Sequence, residues 1–181
     1  TGYGLGVVRL EGLSKVFLGL FVSPVIGLAF GWLFMRQTLF FGSHMSPSIN
    51  LFFRRSQWLT ALALGLSHGT NDAQKTMGII AILLYSAGYL GPQFYVPFWV
   101  ILAAHAAIGL GTLAGGWRIV KTMGTKITKL QPMGGFCAEA AAAISIIGAS
   151  YAGIPVSTTH TITGAIMGVG ATKRLTAVRW G

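Results

Sequence analysis

Ser67-His68-Gly69-Thr70-Asn71-Asp72-Ala73-Gln74-Lys75-Thr76 is a polar cluster inside an apolar segment that runs from Trp58 to Ala87. The segment exceeds the roughly 20 residues a helix needs to cross a bilayer. An ionisable side chain at bilayer depth costs roughly 2.5–3.5 kcal/mol on insertion scales. A helix carrying an imidazole, an amide, a carboxylate and an ammonium therefore needs a reason to keep them. His68 to Asp72 and Asn71 to Lys75 are i,i+4 steps, and Asp72 to Lys75 is i,i+3, so a helix gathers these side chains on one face. Two readings are open. Asp72 and Lys75 could form an internal ion pair that neutralises itself, with His68 and Asn71 as interhelical hydrogen-bonders. Alternatively, the polar face lines a pathway for a solute or ion, which is the default meaning of intramembrane charge.

The rest of the chain fits a membrane setting. Of its 181 residues, 53% are hydrophobic and 9% charged, against about 25% charged in an ordinary soluble domain. The predicted class is all-α integral membrane, a polytopic helical bundle. Its 26 glycines suit close helix packing and broken helices. The formal charge of +10 sits in short clusters between apolar runs, the pattern of cytoplasmic loops, so no nucleic-acid partner is expected. Glu11, Asp72 and Glu139 are the only acids. The single Cys137 excludes an intramolecular disulfide and a cysteine-based metal site. His44 and His105 read as loop and packing residues without metal spacing, and His160 beside Thr159 makes no catalytic triad. Neither a metal, a cofactor nor an enzyme activity is expected. The chain has no initiator Met and no signal-peptide pattern at Thr1-Gly2-Tyr3, so a fragment of a longer protein is expected.

The apolar runs predict a single transmembrane domain over 1–181, with spans at about 13–35, 58–87 and 94–117. A loop is expected at 36–57, carrying Arg36, Arg54 and Arg55 with a turn at Met45-Ser46-Pro47-Ser48. A short uncharged turn is expected at 88–93, and a basic loop at 118–133 with Arg118, Lys121, Lys126 and Lys129. Lys173, Arg174 and Arg179 close the chain. Applying the positive-inside rule, the loops 36–57 and 118–133 and the tail lie inside, while 88–93 and Thr1 lie outside. The segment 134–171 then leaves the inner face and returns to it. Its second arm, Ser157–Ala171, is too short for a full span, so a re-entrant broken-helix hairpin is predicted.

The tip of that hairpin carries Pro155 and the run Ser157-Thr158-Thr159-His160. Pro155 stops the preceding helix from continuing, and a Ser or Thr can cap the next one. The free N–H groups of a new helix, with the positive end of its dipole behind them, favour an anion. Broken helices aimed in this way at anionic substrates recur in secondary transporters. A plain N-cap in a loop is the alternative. His160 is open between packing and contact with the site.

Together these two stretches carry a resemblance. His68-Gly69-Thr70-Asn71-Asp72-Ala73-Gln74-Lys75-Thr76-Met77-Gly78 resembles a signature of the inorganic phosphate transporter (PiT) family, usually written around Gly-Ala-Asn-Asp. Gly153-Ile154-Pro155-Val156-Ser157-Thr158-Thr159-His160 resembles the second signature. The chain looks like the C-terminal half of a bacterial member. The resemblance implies one half of an inverted-repeat secondary transporter in the bacterial inner membrane, moving inorganic phosphate with a coupling cation. It implies phosphate binding by Ser157, Thr158, Thr159, Asn71 and Asp72; beside that, Asp72, Lys75, Glu139, His68 and His160 are the candidates for the coupling ion or its surroundings. It also implies a partner: the missing N-terminal half or a second copy of the chain. Thr70 and Gln74-Lys75 depart from the commoner motif. Lys75 could replace a sodium ion's charge, which favours a proton as coupling ion. A permease for sulfate or another oxyanion on the same scaffold is the alternative substrate reading, and a non-transporting membrane structural subunit is the alternative from another class. Sulfate has no proton to offer Asp72, which favours phosphate.

Overall fold

The computed structural model describes residues 10–42 and 49–179. They form α1 (Leu10–Gly42), α2 (Ile49–Ser86), α3 (Phe98–Thr122), α4 (Pro132–Tyr151) and α5 (Thr158–Ala171). A π turn, Met123–Ile127, prolongs α3, and a 3-10 turn, Leu175–Ala177, follows α5. No strand occurs among the described residues, so the all-α membrane class holds. α1, the α3 run Phe98–Ile127 and α4 are each long and apolar enough to cross a membrane. Much of their apolar surface faces outward, with Leu113 82% and Trp117 77% exposed. Lipid or further protein must cover surface of that kind.

The loop expected at 36–57 is corrected. α1 continues through Arg36 to Gly42, and α2 already begins at Ile49, so Arg54 and Arg55 are helical. Basic side chains end an apolar run without ending a helix, because Arg is a good helix former. The turn expected at Met45–Ser48, His44 and the expected outside position of Thr1 lie outside the described residues. α3 starts at Phe98, later than expected, because Pro97 is the extended residue at its N-cap. The basic loop expected at 118–133 is corrected too, since Arg118 and Lys121 lie in α3, Lys126 in the π turn, and α4 begins at Pro132.

Two helices stop in the same way. At α4, Gly153 has φ +64. The Gly153 N–H donates to Ser150 O at 3.1 Å and the Ile154 N–H to Ala149 O at 3.0 Å. This is the Schellman end that a left-handed glycine allows. Gly88, φ +81, ends α2 with the matching pair from Gly88 to Tyr85 O and Tyr89 to Leu84 O. Gly153 therefore ends α4, and Pro155 only prevents it from resuming.

α4 and α5 form a helical hairpin that lies against the pair α1 and α2. α2 runs parallel to α4: Phe53 meets Phe136 with ring centroids 5.3 Å apart, and Thr60 bonds Glu139. α1 runs parallel to α5 and approaches it with bare backbone. A Cβ at Gly19 would fall on the Pro155 carbonyl, at Gly27 on Thr161 O and at Gly31 on Ala165 O. From the other side, Gly164 faces Pro24 O and Gly168 faces Leu28 O. The buried positions of α1 are Gly19, Ser23, Gly27, Gly31 and Met35, one stripe with a period of four, as in close membrane-helix pairs. α3 packs antiparallel on the far part of α2 through Val100 and Ala104 against Ala73 and Met77.

This arrangement sets the height of the hairpin tip. The tip meets α2 at Asp72. α2 runs on from there to Ser86, about 21 Å of helix at 1.5 Å per residue. α1 likewise begins nine residues before Gly19, at Leu10. The tip thus stops short of the ends of both helices beside it.

Candidate functional site

The site is built where the start of α5 meets the middle of α2. Ser157 is the N-cap of α5, with extended backbone (φ −86, ψ 111), and its Oγ accepts the His160 N–H at 3.4 Å. Thr161 closes the first turn, its N–H donating to Ser157 O at 2.9 Å. The N–H groups of Thr158 and Thr159 then have no intrahelical carbonyl to reach. They lie at the positive end of the helix dipole.

α2 brings the counterpart. Three donors converge on the Asp72 carboxylate. Lys75 Nζ lies 3.0 Å from Oδ1, the Thr158 hydroxyl donates to Oδ2 at 3.1 Å, and His68 Nε2 lies 3.4 Å from Oδ2. The first and third follow from the helical steps i,i+3 and i,i+4. The second crosses from α5 to α2 and ties the hairpin tip to the polar helix. Thr158 is buried, whereas Asp72 is 30% and Lys75 56% exposed at the side chain. Both open into a cleft of about 480 Å³ whose other walls are Val16 and Leu20 of α1 and the tip residues Pro155–Thr159. A larger hollow of about 570 Å³ between α2 and α4, reaching from Ala63 to Tyr151, has no ionisable side chain other than the Tyr151 phenol. The chemistry therefore belongs to the smaller cleft.

The expected site residues divide. Asp72, Lys75, His68, Ser157, Thr158 and Thr159 come together. Asn71 is half-buried on α2 but does not line the cleft. The imidazole of His160 is exposed and lines no part of it. Glu139 accepts the Thr60 hydroxyl at 2.5 Å, about 18 Å along α4 from the tip at 1.5 Å per residue. Sequence reading missed that Thr60–Glu139 bond. An acid in a small-residue helix and a threonine one turn beyond Arg55–Ser56 gave no sign of facing each other. His105, expected to pack, is exposed, and its Nδ1 lies 2.8 Å from Ile101 O.

Comparison with known proteins gives a consistent picture. A model described as the phosphate transporter family matches residues 41–181. A "Probable low-affinity inorganic phosphate transporter" of Rhizobium meliloti (strain 1021) is 55% identical over 186 residues, covering 98% of this chain and 54% of that protein. One of the same description from Bacillus subtilis (strain 168) is 41% identical over 179 residues, again covering 98% and 54%. A solved structure described as "The sodium-dependent phosphate transporter" superimposes with a TM-score of 0.61 and 25% identity, covering 94% of this chain and 50% of that one. The chain spans about half the length of these relatives.

Proposed function

Because the chain belongs to the phosphate transporter family, we propose that it forms one half of a secondary transporter of inorganic phosphate. A cation drives it, with the proton favoured over sodium. The family is one of membrane transporters, not enzymes, and with three membrane-length apolar helices the chain is a multi-pass protein of the bacterial plasma membrane. The observation that carries the reading is the Thr158–Asp72 hydrogen bond. It joins an anion-favouring helix start to a carboxylate on one open cleft. Phosphate is received by the free N–H groups of Thr158 and Thr159 and the hydroxyls of Ser157 and Thr159, and its P–OH proton is offered to Asp72. Sulfate lacks that proton. The remaining half of the site comes from the rest of the protein or a second copy of the chain.

The proton is favoured because the Lys75 ammonium, 3.0 Å from Asp72 Oδ1, already occupies the side of the carboxylate a sodium ion would take. His68 completes this coupling group. Sodium is the second reading, motivated by the description of the solved relative. The test is labelled phosphate uptake into liposomes holding the full-length protein. An imposed proton gradient without sodium is expected to drive uptake, and a sodium gradient alone is not. Uptake on sodium alone would overturn the proton part. Equal competition by sulfate would overturn the phosphate part.

The hairpin of α4 and α5 is read as re-entrant, with both ends on the basic, cytoplasmic side. Its support is the height of the tip, well short of the far end of α2. A single cysteine at Gly153, in a full-length protein freed of Cys137, is expected to resist a membrane-impermeant thiol reagent added from outside at the rate of a loop residue. Labelling as fast as that of a cysteine at Gln93 rules out the re-entrant reading.

A further inference from the structure

The opposite end of the bundle holds a second polar cleft, which the transport reading leaves unused. Lys126 and Lys129 come from the π turn and the connection to α4, and Lys173 and Arg179 from the segment after α5. All four line one hollow of about 450 Å³. Its floor is fixed. The Arg179 N–H donates to Ile127 O at 3.1 Å, Val178 is 3% exposed, and a Cβ at Gly170 would press on both Val178 and Thr128. The four cationic side chains are exposed, and none forms an ion pair among the described residues.

The chain has no acid to spare for them. Glu11 pairs with Lys15, Asp72 serves the transport cleft, and Glu139 is bonded to Thr60. The positive-inside tendency accounts for basic residues at this end. It does not account for their convergence, from two stretches more than forty residues apart in sequence, on one walled hollow. The height is also informative. The hollow lies where the apolar run Phe98–Ile127 ends and the apolar α4 begins at Pro132, so it sits at the bilayer surface. Exposed Ile119 and Val120 stand on the last turns of α3, and exposed Leu175 in the 3-10 turn after α5.

We propose that this cleft binds the phosphodiester headgroup of an anionic phospholipid of the cytoplasmic leaflet. Lys126, Lys129, Lys173 and Arg179 supply the countercharge, and the neighbouring apolar side chains meet the acyl chains. Basic pockets between membrane helices on the cytoplasmic side are suited to such headgroups. The lipid ties the segment after α5 to the α3–α4 connection, and so braces the base of the hairpin whose tip forms the transport cleft.

The test titrates purified full-length protein in detergent with phosphatidylglycerol or phosphatidylcholine and counts bound lipid by native mass spectrometry. Phosphatidylglycerol is expected to bind at a single site, and phosphatidylcholine is not. Lys129→Gln/Lys173→Gln is expected to weaken phosphatidylglycerol binding about thirty-fold, at the usual contribution of a basic residue beside an anionic lipid. Arg118→Gln/Lys121→Gln removes the same charge from α3 outside the cleft and is expected to leave binding nearly unchanged. Lys126→Gln/Arg179→Gln gives an independent pair should the first fail to fold. Equal weakening by the α3 pair would mean a diffuse field and overturn the site. Equal binding of the two lipids would overturn it, and so would displacement of phosphatidylglycerol by millimolar inorganic phosphate.

Discussion

Asp72→Asn in the full-length protein is expected to lower phosphate uptake by about two orders of magnitude while the protein still inserts. Asparagine keeps the size but leaves one acceptor oxygen and adds an NH2 donor. Lys75, His68 and the Thr158 hydroxyl all approach this carboxylate, so the Lys75 ammonium loses its countercharge and the oxygen facing Thr158 and His68, or the one facing Lys75, becomes an NH2 donor. A hydrogen bond to a charged group contributes roughly 1.5–3 kcal/mol, and losing one such bond from binding or from the loaded state is a factor of about 10–150. The effect belongs to the site only if a stability loss is not its cause. Thermal unfolding of the purified variant and its yield from membranes provide that check.

The double variant Asp72→Asn/Lys75→Gln separates the two roles open for this pair. If the ion pair is merely structural, removing both charges relieves the unpaired lysine and restores uptake. If Asp72 handles the P–OH or the coupling cation, the double variant recovers stability but not transport. Thr158→Val is the complementary probe, because it cuts the link from the hairpin without touching either charge. It is expected to weaken apparent phosphate affinity more than Lys75→Gln weakens folding. Wild-type uptake in Asp72→Asn would return the cluster to the self-neutralised reading.

The part of this site that lies on one helix was legible, because helical spacing alone predicts that His68, Asp72 and Lys75 share a face. Asn71 shows the limit of that argument. A residue next in sequence to Asp72 points about 100° away, and periodicity does not say which edge of a polar face meets the neighbour. The contact from Thr158 to Asp72 spans 86 positions. No local rule pairs them, and only the resemblance of both stretches to one family brought them together. The error at 36–57 came from reading charge as a loop signal. Arg36, Arg54 and Arg55 mark where the apolar run meets water, whereas the helix ends are set by backbone chemistry. Gly88 and Gly153 end theirs through left-handed φ values, and Pro97 opens α3. The close approach of α1 and α5 was visible only as glycine content. Its specific form, Gly19, Ser23, Gly27 and Gly31 at every fourth position, predicts a narrow stripe. The spacing does not identify which helix lies against that stripe.

That stripe carries the other large expected effect. Gly31→Leu, or Gly164→Leu on the facing helix, is expected to stop the full-length protein from accumulating as a monodisperse species in detergent. Inserting methylenes into an ordinary core costs about 1–3 kcal/mol, because neighbouring side chains can shift. Here the neighbours are carbonyl oxygens: Ala165 O for Gly31 and Pro24 O for Gly164. A backbone carbonyl held in a helix cannot rotate aside, so the two helices must separate along their whole contact. Separation also withdraws Gly19 from Pro155, and Pro155 begins the wall of the cleft beside Asp72. A milder Gly27→Ala, still facing Thr161 O, should therefore lower phosphate affinity as well as the unfolding temperature. Gly12→Ala is the control: it lies on the same helix with nothing within 4 Å of the new methyl. Alanine there should be neutral or stabilising by about 0.5–1 kcal/mol through its helix preference. Gly164→Leu protein that unfolds at the wild-type temperature and takes up phosphate normally would mean that α1 and α5 do not touch backbone to backbone in the full-length protein.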